Sequence, residues 1–548
     1  MSLLPLSRFL DWEKKNPDKI FLRQPIAGKW KTWTWAQAGE EARKLAAGFY
    51  GLGLSKGDHI AILSKNCAEW IISDLAIMMA GCISIPIYPT LSGPAIEPIL
   101  AHSNAKAIII GKLDDFASQK NGLPLLLKKI FVEAYGYKDE IGNTYEKIMM
   151  STRPVATIYE WKPADILTII YTSGTTGKSK GVMHTAGAFE HTLVNAIPEL
   201  ELPEQPVLLS YLPLSHIAER VGIEMNALYT GGSISFAESL DTFAKNLAEI
   251  QPQIFFAVPR IWGKIREGLL TKLPQKKLSL LLSIPIIGSV LKKSIKKKLG
   301  FSRVTHFYSA AAPISVELQE WYQKLGILIY QAYGMTEDCV YSHFCGPKAH
   351  KFGTVGKPLP GLQVKFSEEG EIRIKSESNM VGYYKEKEMT DETFDEHGFL
   401  KTGDMGEYDA EGFLKITGRV KDQFKTDKGK YISPAPIEVK LLGNTAVEHV
   451  CVVGTGVPQP MALICLSESG KKISKEELIS SITETVASIN PQLEKYERIE
   501  KVVIMKEPWT IANGLITPSL KVKRNEIEKL HLPQYPAWYD KPGVVVWE

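Results

Sequence analysis

The chain has 548 residues, more than one hydrophobic core supports, so at least two domains are expected. Its 44% hydrophobic and 23% charged residues exclude a disordered, collagen-like or disulfide-framed chain. The formal net charge is +4, but residues 271–298 hold eight lysines and no acid; removing those eight leaves the rest at −4, which argues against general nucleic-acid binding.

Six cysteines (67, 82, 339, 345, 451 and 465) form no CxxC pair and read as buried thiols in a reducing compartment. The opening MSLLPLSRFLDWEKK is too polar for a secretory signal. The longest apolar stretches, near 75–88 and 278–291, fall short of the ~20 residues of a membrane span. The expected location is cytoplasmic, with peripheral contact on the inner membrane surface open through the basic segment.

In chain order, Thr34-Trp35-Ala36-Gln37 is a capping box, followed by Ala38, Ala42, Leu45, Ala46 and Phe49 at helical spacing. A strand at 59–63, a helix around 70–79 and a strand at 83–88 make a β-α-β pattern. Apolar runs recur at 107–110, 166–171, 207–212, 254–258, 304–308 and 327–332. They predict a large α/β domain with ligand sites at the carboxyl ends of its strands. After Gly353, Val364, Phe366, Ile372 and Ile374 alternate around Glu368-Glu369-Gly370, a hairpin in a smaller antiparallel sheet. A boundary is expected near Arg419-Val420-Lys421. Beyond it, strands at 450–453, 462–466 and 502–505 and a helix at 475–489 predict a small α+β domain.

The strongest local signal is Tyr171-Thr172-Ser173-Gly174-Thr175-Thr176-Gly177-Lys178-Ser179-Lys180-Gly181. Glycines let backbone N–H groups approach phosphate oxygens, hydroxyls add donors, and lysines supply charge. The Walker A pattern would need Gly where Thr172 stands, so a P-loop nucleotidase is excluded.

This loop resembles the phosphate loop of the adenylate-forming enzymes, and further motifs follow in that family's order. Tyr211-Leu212-Pro213-Leu214-Ser215-His216 with Glu219-Arg220, and Ala257-Val258-Pro259-Arg260-Ile261-Trp262, resemble the long-chain fatty acyl-CoA synthetase branch. Ser309, Ala310 and Ala311 are similar to the segment lying against adenine. Tyr333-Gly334-Met335-Thr336-Glu337, Asp404, Arg419 and Lys521 complete the set, which spans residues 21–524.

The resemblance implies a three-part N-terminal domain, 1–418, and a C-terminal lid, 419–548, hinged at 419–421 with Lys421 as pivot. It implies ATP, Mg²⁺ and coenzyme A. Thr172, Ser173, Gly174, Thr175, Thr176, Gly177 and Lys178 would cradle phosphates, with Tyr333 stacked on adenine and Gly334 and Met335 also binding ATP. Thr336 would donate to the α-phosphate, Glu337 and Thr172 would hold Mg²⁺, Asp404 would hold the ribose, and Arg419 would bridge ribose or phosphate. His216 would stand where acyl chain and nucleotide meet, Lys521 would serve adenylation, and Gly429 would approach coenzyme A. The implied activity joins a fatty acid to coenzyme A through an acyl-adenylate. The alternatives are loading of a carrier protein and a non-enzymatic lipid binder.

Two departures from the family stand out. Leu520 replaces a frequent glycine before the lysine, with Lys523 two residues on, and Lys428 replaces the first of two adjacent glycines. The lysine-rich segment 271–298 reads either as a solvated hairpin or as a shallow anchor on anionic membrane.

Overall fold

A computed structural model describes residues 3–137, 143–173, 179–517 and 520–548. The expected capping box forms: the Thr34 hydroxyl accepts from the Gln37 N–H while the Gln37 side chain accepts from the Thr34 N–H, opening helix Trp35–Gly51. Strands His59–Leu63, Ile83–Ile87 and Ala107–Ile110 pair in parallel at the centre of a seven-stranded sheet. Helix Ala68–Met79 between them is buried on every side. Even its polar Glu69, Ser73 and Asp74 are buried, and the helix shares its core with residues of a second, nine-stranded sheet, such as Leu208 and Ile234.

The nine-stranded sheet carries six parallel strands, Ile20–Ile26, Ser233–Phe236, Val207–Ser210, Ile254–Ala257, His306–Ser309 and Ile329–Tyr333. A third, four-stranded antiparallel sheet contains the expected hairpin, Gln363–Phe366 with Glu371–Lys375, followed by Leu400–Tyr408 and Leu414–Arg419. Thr402-Gly403-Asp404 lies within strand Leu400–Tyr408 at a register shift in its pairing with Glu371–Lys375; Gly403 takes a left-handed φ of 72°, and Asp404 stands opposite Arg419.

A one-turn 3₁₀ helix, Val420–Asp422, follows this sheet. Beyond it, Val447–Val453, Met461–Leu466, Lys501–Ile504 and Val545–Trp547 form a separate four-stranded sheet. Helix Lys475–Ile489, opened by a Ser474–Glu477 capping box, covers it. The two apolar clusters of this region contain no residue before Phe424, so it is a body with its own core. All six cysteines are buried and free. No helix among the described residues is long and apolar enough to cross a membrane.

At the centre of the large region lies an ion cluster with no solvent contact. Arg220 bonds Asp74 Oδ2 (2.5 Å), Glu224 Oε2 (3.1 Å) and the hydroxyls of Ser84 (3.2 Å) and Thr168 (2.8 Å). Burial, then the neighbouring Asp74 charge, raise the Glu224 pKa, while Arg220 opposes them. Two helices and two strands of different segments are thereby joined by directional bonds.

Candidate active site

Three neighbouring parallel strands of the large sheet, Ile254–Ala257, His306–Ser309 and Ile329–Tyr333, finish on the same edge. Ala257 is opposite Ser309, and Ser309 opposite Gln331, so the segments that follow emerge along one edge. Ser309 is fully buried with its hydroxyl unpartnered, and Ala311 beyond it holds a left-handed backbone (φ 70°) unusual for a residue with a side chain.

Tyr333 closes the neighbouring strand. Its hydroxyl donates to Asp404 Oδ2 (2.8 Å), and Arg419 Nε donates to Asp404 Oδ1 (2.6 Å). The carboxylate is thus held between a ring and a guanidinium. Asp404 in turn raises the Arg419 pKa, and burial followed by Asp404 raises that of Tyr333. Gly334 is dictated by space: a Cβ there would stand 2.7 Å from Val340 Cα. Residues 334–341 fold back tightly, with the Met335 N–H bonded to Asp338 Oδ1 (2.9 Å) and the Val340 N–H to the Met335 carbonyl (3.1 Å).

This turn delivers Thr336 and Glu337 to the strand after the phosphate loop. His184 Nε2 donates to the Thr336 carbonyl (2.6 Å), and burial lowers its pKa to about 4, so it is a neutral, structural imidazole. Glu337 Oε1 accepts from the Tyr383 hydroxyl (2.8 Å), which itself accepts from Lys180 Nζ (2.5 Å); Lys180 Nζ is 3.5 Å from the carboxylate. Thr172 pairs across the strands with Lys180, and its hydroxyl is buried with no partner among the described residues. Residues 174–178, and with them Gly174, Thr175, Thr176, Gly177 and Lys178, lie outside the described residues, as does the Ser173 side chain.

His216 caps the short helix Ile217–Glu219, its Nδ1 accepting from the Ala218 N–H (3.1 Å), which leaves the proton on Nε2. The loop before it is fastened from beneath. Glu219 Oε1 accepts from Ser210 Oγ (2.9 Å) and the Tyr211 N–H (2.9 Å), and Asn66 Nδ2 donates to the Leu212 carbonyl (2.6 Å). Burial pushes Glu219 up to about 8.

Lys521 comes from the C-terminal region into this cluster. Desolvation in the cleft and the Arg419 charge lower its pKa, while Asp404 and Glu337 pull it back. Desolvation and Lys521 together hold His216 down at about 4, neutral at physiological pH. Water still reaches the Lys521 side chain, so these charges act across a screened, open cleft. Lys523 instead begins helix Arg524–His531, its N–H donating to the Leu515 carbonyl (2.9 Å). The turn is closed by the Leu520 N–H to the Thr517 carbonyl (2.8 Å) and the Lys521 N–H to the Thr517 hydroxyl (3.0 Å). Leu520, the departure from the family's glycine, adopts a glycine-like φ of 63°.

Gly429 (φ 78°) lies in the exposed turn between Phe424–Lys425 and Tyr431–Ile432, its N–H donating to the Thr426 carbonyl (2.9 Å). Lys421 is exposed within the 3₁₀ helix. Arg260, singled out in the Pro259-Arg260-Ile261-Trp262 motif, pairs with Glu448 across the two regions, and Arg266 Nη2 donates to the Gly443 carbonyl (3.3 Å).

The structure therefore gathers Tyr333, Thr336, Glu337, Asp404, Arg419, His216 and Lys521 around one cleft. It adds Lys180, Tyr383, His184 and Asn66, which motif spacing leaves out. Lys180 stands in the quoted loop, and its charge was the available signal; Tyr383 gives none, because it reaches Glu337 from 46 positions away.

Comparison with known proteins supplies the context. The AMP-binding enzyme family matches residues 9–384, and the AMP-binding enzyme C-terminal domain matches residues 421–541. A long-chain-fatty-acid–CoA ligase of Mus musculus is 30% identical over 558 residues, covering 89% of this chain and 81% of that protein. One from Xenopus laevis is 29% identical, covering 98% and 83%. Among solved structures, the adenylation domain of a carboxylate reductase from Mycobacterium chelonae superposes with a TM-score of 0.82 at 20% identity, covering 98% of this chain and 91% of that one.

Proposed function

The chain belongs to the AMP-binding enzyme family, and on that premise we propose that it is an AMP-forming long-chain fatty acid–CoA ligase. Fatty acid and ATP give an acyl-adenylate and diphosphate; coenzyme A then takes the acyl group and AMP leaves. The observation that carries this reading is the convergence of Lys521, Asp404, Arg419 and Glu337 on one cleft, the electrostatics that adenylation requires.

In the first step a carboxylate oxygen attacks the α-phosphorus, and negative charge accumulates over two anionic reactants. Lys521 offsets that charge, which is most effective when the donor is already in position. Asp404 accepts from the ribose hydroxyls, with Arg419 fixing its orientation, and Tyr333 stacks on adenine. Ser309, Ala310 and Ala311 form the opposite wall, Gly334 and Met335 turn the chain past the base, and Thr336 donates to the α-phosphate. His216, neutral with its proton on Nε2, can donate where the acyl carboxylate enters.

The residues present fit Mg²⁺. Glu337 is a hard oxygen ligand, and the Thr172 hydroxyl, unpartnered among the described residues, is a second oxygen donor beside Lys180. Mg²⁺ there would neutralise triphosphate charge. Tyr383 orients Glu337 by donating to one oxygen while accepting from Lys180, which also pairs with that carboxylate at 3.5 Å. Tyr383→Phe should therefore raise the Mg²⁺ concentration for half-maximal pyrophosphate release about tenfold at saturating ATP, the scale of a lost outer-shell hydrogen bond. An unchanged Mg²⁺ titration would remove Tyr383 from this role.

We place the domain boundary at 418/419 and the pivot at Lys421, with Gly429 meeting coenzyme A when the lid turns. The exposed lysines of 271–298 support peripheral contact with anionic membrane, where long-chain acids reside. The activity is tested by acid-dependent pyrophosphate release across chain lengths, with free coenzyme A and a phosphopantetheine-bearing carrier offered in parallel. Release peaking at long chains with acyl-CoA as product is the expected result; acyl-carrier as sole product would reassign the thiol acceptor.

A further inference from the structure

The basic segment is not a loop but a pair of helices, Gln275–Ser283 and Pro285–Lys298, broken at Ile284-Pro285. One face of the pair is anchored. Leu278 and Ile295 are buried in the apolar cluster around Trp262 and Phe301, with Leu282 and Leu291 packed against it. Gly288 is buried where the two helices meet: a Cβ there would stand 2.8 Å from the Leu282 carbonyl oxygen.

The other face changes character along its length. Near the break, large apolar side chains face water: Leu280 is 65% exposed, Ile286 81% and Val290 64%, with Ile284 and Ile287 beside them. Farther back, Lys276, Lys277, Lys293, Lys297 and Lys298 are exposed. Lys296 is occupied, donating to the Gly326 carbonyl (2.5 Å) at the end of a neighbouring helix turn.

Distances along the helices make this gradient specific. At 1.5 Å per residue, Leu280 and Val290 lie about 6–8 Å from the break, and Lys276, Lys277, Lys293 and Lys297 about 10–18 Å from it. A side chain seated 5–10 Å into the headgroup–acyl boundary is the depth at which interfacial helices rest. Lysines just behind such a tip reach the phosphates, and their long stems snorkel. A purely solvated hairpin has no use for three isoleucines, a leucine and a valine gathered at its exposed end, and a nucleic-acid surface would place cations at that end rather than apolar groups.

We propose that residues 280–290 are a membrane wedge: the apolar tip enters an anionic bilayer to the depth of the glycerol region while the lysine collar binds the headgroups. The wedge deepens the peripheral contact proposed above and rests on it. It makes binding partly hydrophobic, so that high salt weakens attachment without abolishing it, unlike a purely electrostatic contact screened within a Debye length.

The test uses the full chain with vesicles of phosphatidylcholine, alone or mixed with phosphatidylglycerol, at low and high salt. In Ile286→Trp, tryptophan emission should shift to the blue and be quenched by lipids brominated in the upper acyl chain. The pair Ile286→Ser and Val290→Ser should lower co-sedimentation at least tenfold at high salt. Lys276, Lys277, Lys293, Lys297 and Lys298 changed to Gln should lower it at least tenfold at low salt. Turnover of a short soluble acid should be unchanged in every variant. Binding that is fully reversed by salt, with no quenching, would overturn the wedge and leave the electrostatic contact standing. Wild-type protein that ignores anionic vesicles at low salt would overturn both. A concentration-dependent dimer abolished by Ile286→Ser would assign the tip to a second copy of the chain and overturn the wedge.

Discussion

Lys521→Ala is expected to lower acid-dependent pyrophosphate release about a hundred- to a thousandfold, the usual loss when a positioned charge-stabilising donor is removed. Thioester formation from supplied acyl-adenylate should be spared. The asymmetry follows from where charge accumulates. Only adenylation brings a carboxylate against a triphosphate; attack of a thiol on an acyl-adenylate does not add a second polyanion. Lys521 senses Glu337 and Asp404 from the lid, which puts its charge beside the groups proposed to hold metal and ribose. Lys523→Ala is the internal control, because that residue opens a helix of the lid instead. Equal loss of both half-reactions in folded Lys521→Ala would refute the role, and a selective first-step loss in Lys523→Ala alone would transfer it.

The second large effect is expected at the pivot. Lys421 occupies the first turn of a one-turn 3₁₀ helix, a position that tolerates proline because its N–H has no partner within the turn. The Arg260–Glu448 pair and the Arg266–Gly443 hydrogen bond hold the lid as seen, with Lys521 in the cleft. Lys421→Pro fixes φ near −65°, so the lid should remain competent for adenylation but turn with difficulty. Pyrophosphate release should stay within about threefold of the parent, while thioester formation from supplied acyl-adenylate falls at least tenfold, one factor of ten being about 1.4 kcal/mol of barrier. Equal rates in both half-reactions would mean that the chain pivots elsewhere.

Much of the fold was legible in the sequence, and the reasons are local. Strands 59–63 and 107–110 and helix 475–489 coincide with their expected limits because apolar runs, capping residues and turn residues all agree there. The site was legible through ordered motifs, which brought Tyr333, Glu337, Asp404 and Lys521 to notice without placing them. What the motifs could not convey was pairing. Asp404 faces Arg419 only because two strands zip in one register, and Tyr383 meets Glu337 only because separate strands converge. Isoleucines 286 and 287 carry the same one-letter signal as core residues, and only folding reveals that they point outward.

The glycine-like backbone of Leu520 has a bearing on timing. A left-handed conformation costs an L-residue with a side chain roughly 1–2 kcal/mol, a cost glycine does not carry. That tension is held in the turn that presents Lys521. In the two-pose cycle proposed above, a turn that relaxes as the lid swings away returns the energy, and leucine then shortens the dwell in the first pose relative to glycine. A bias of roughly 1 kcal/mol changes the ratio of two populations about fivefold. In that proposed cycle, one φ angle beside Lys521 sets how long the first pose is held.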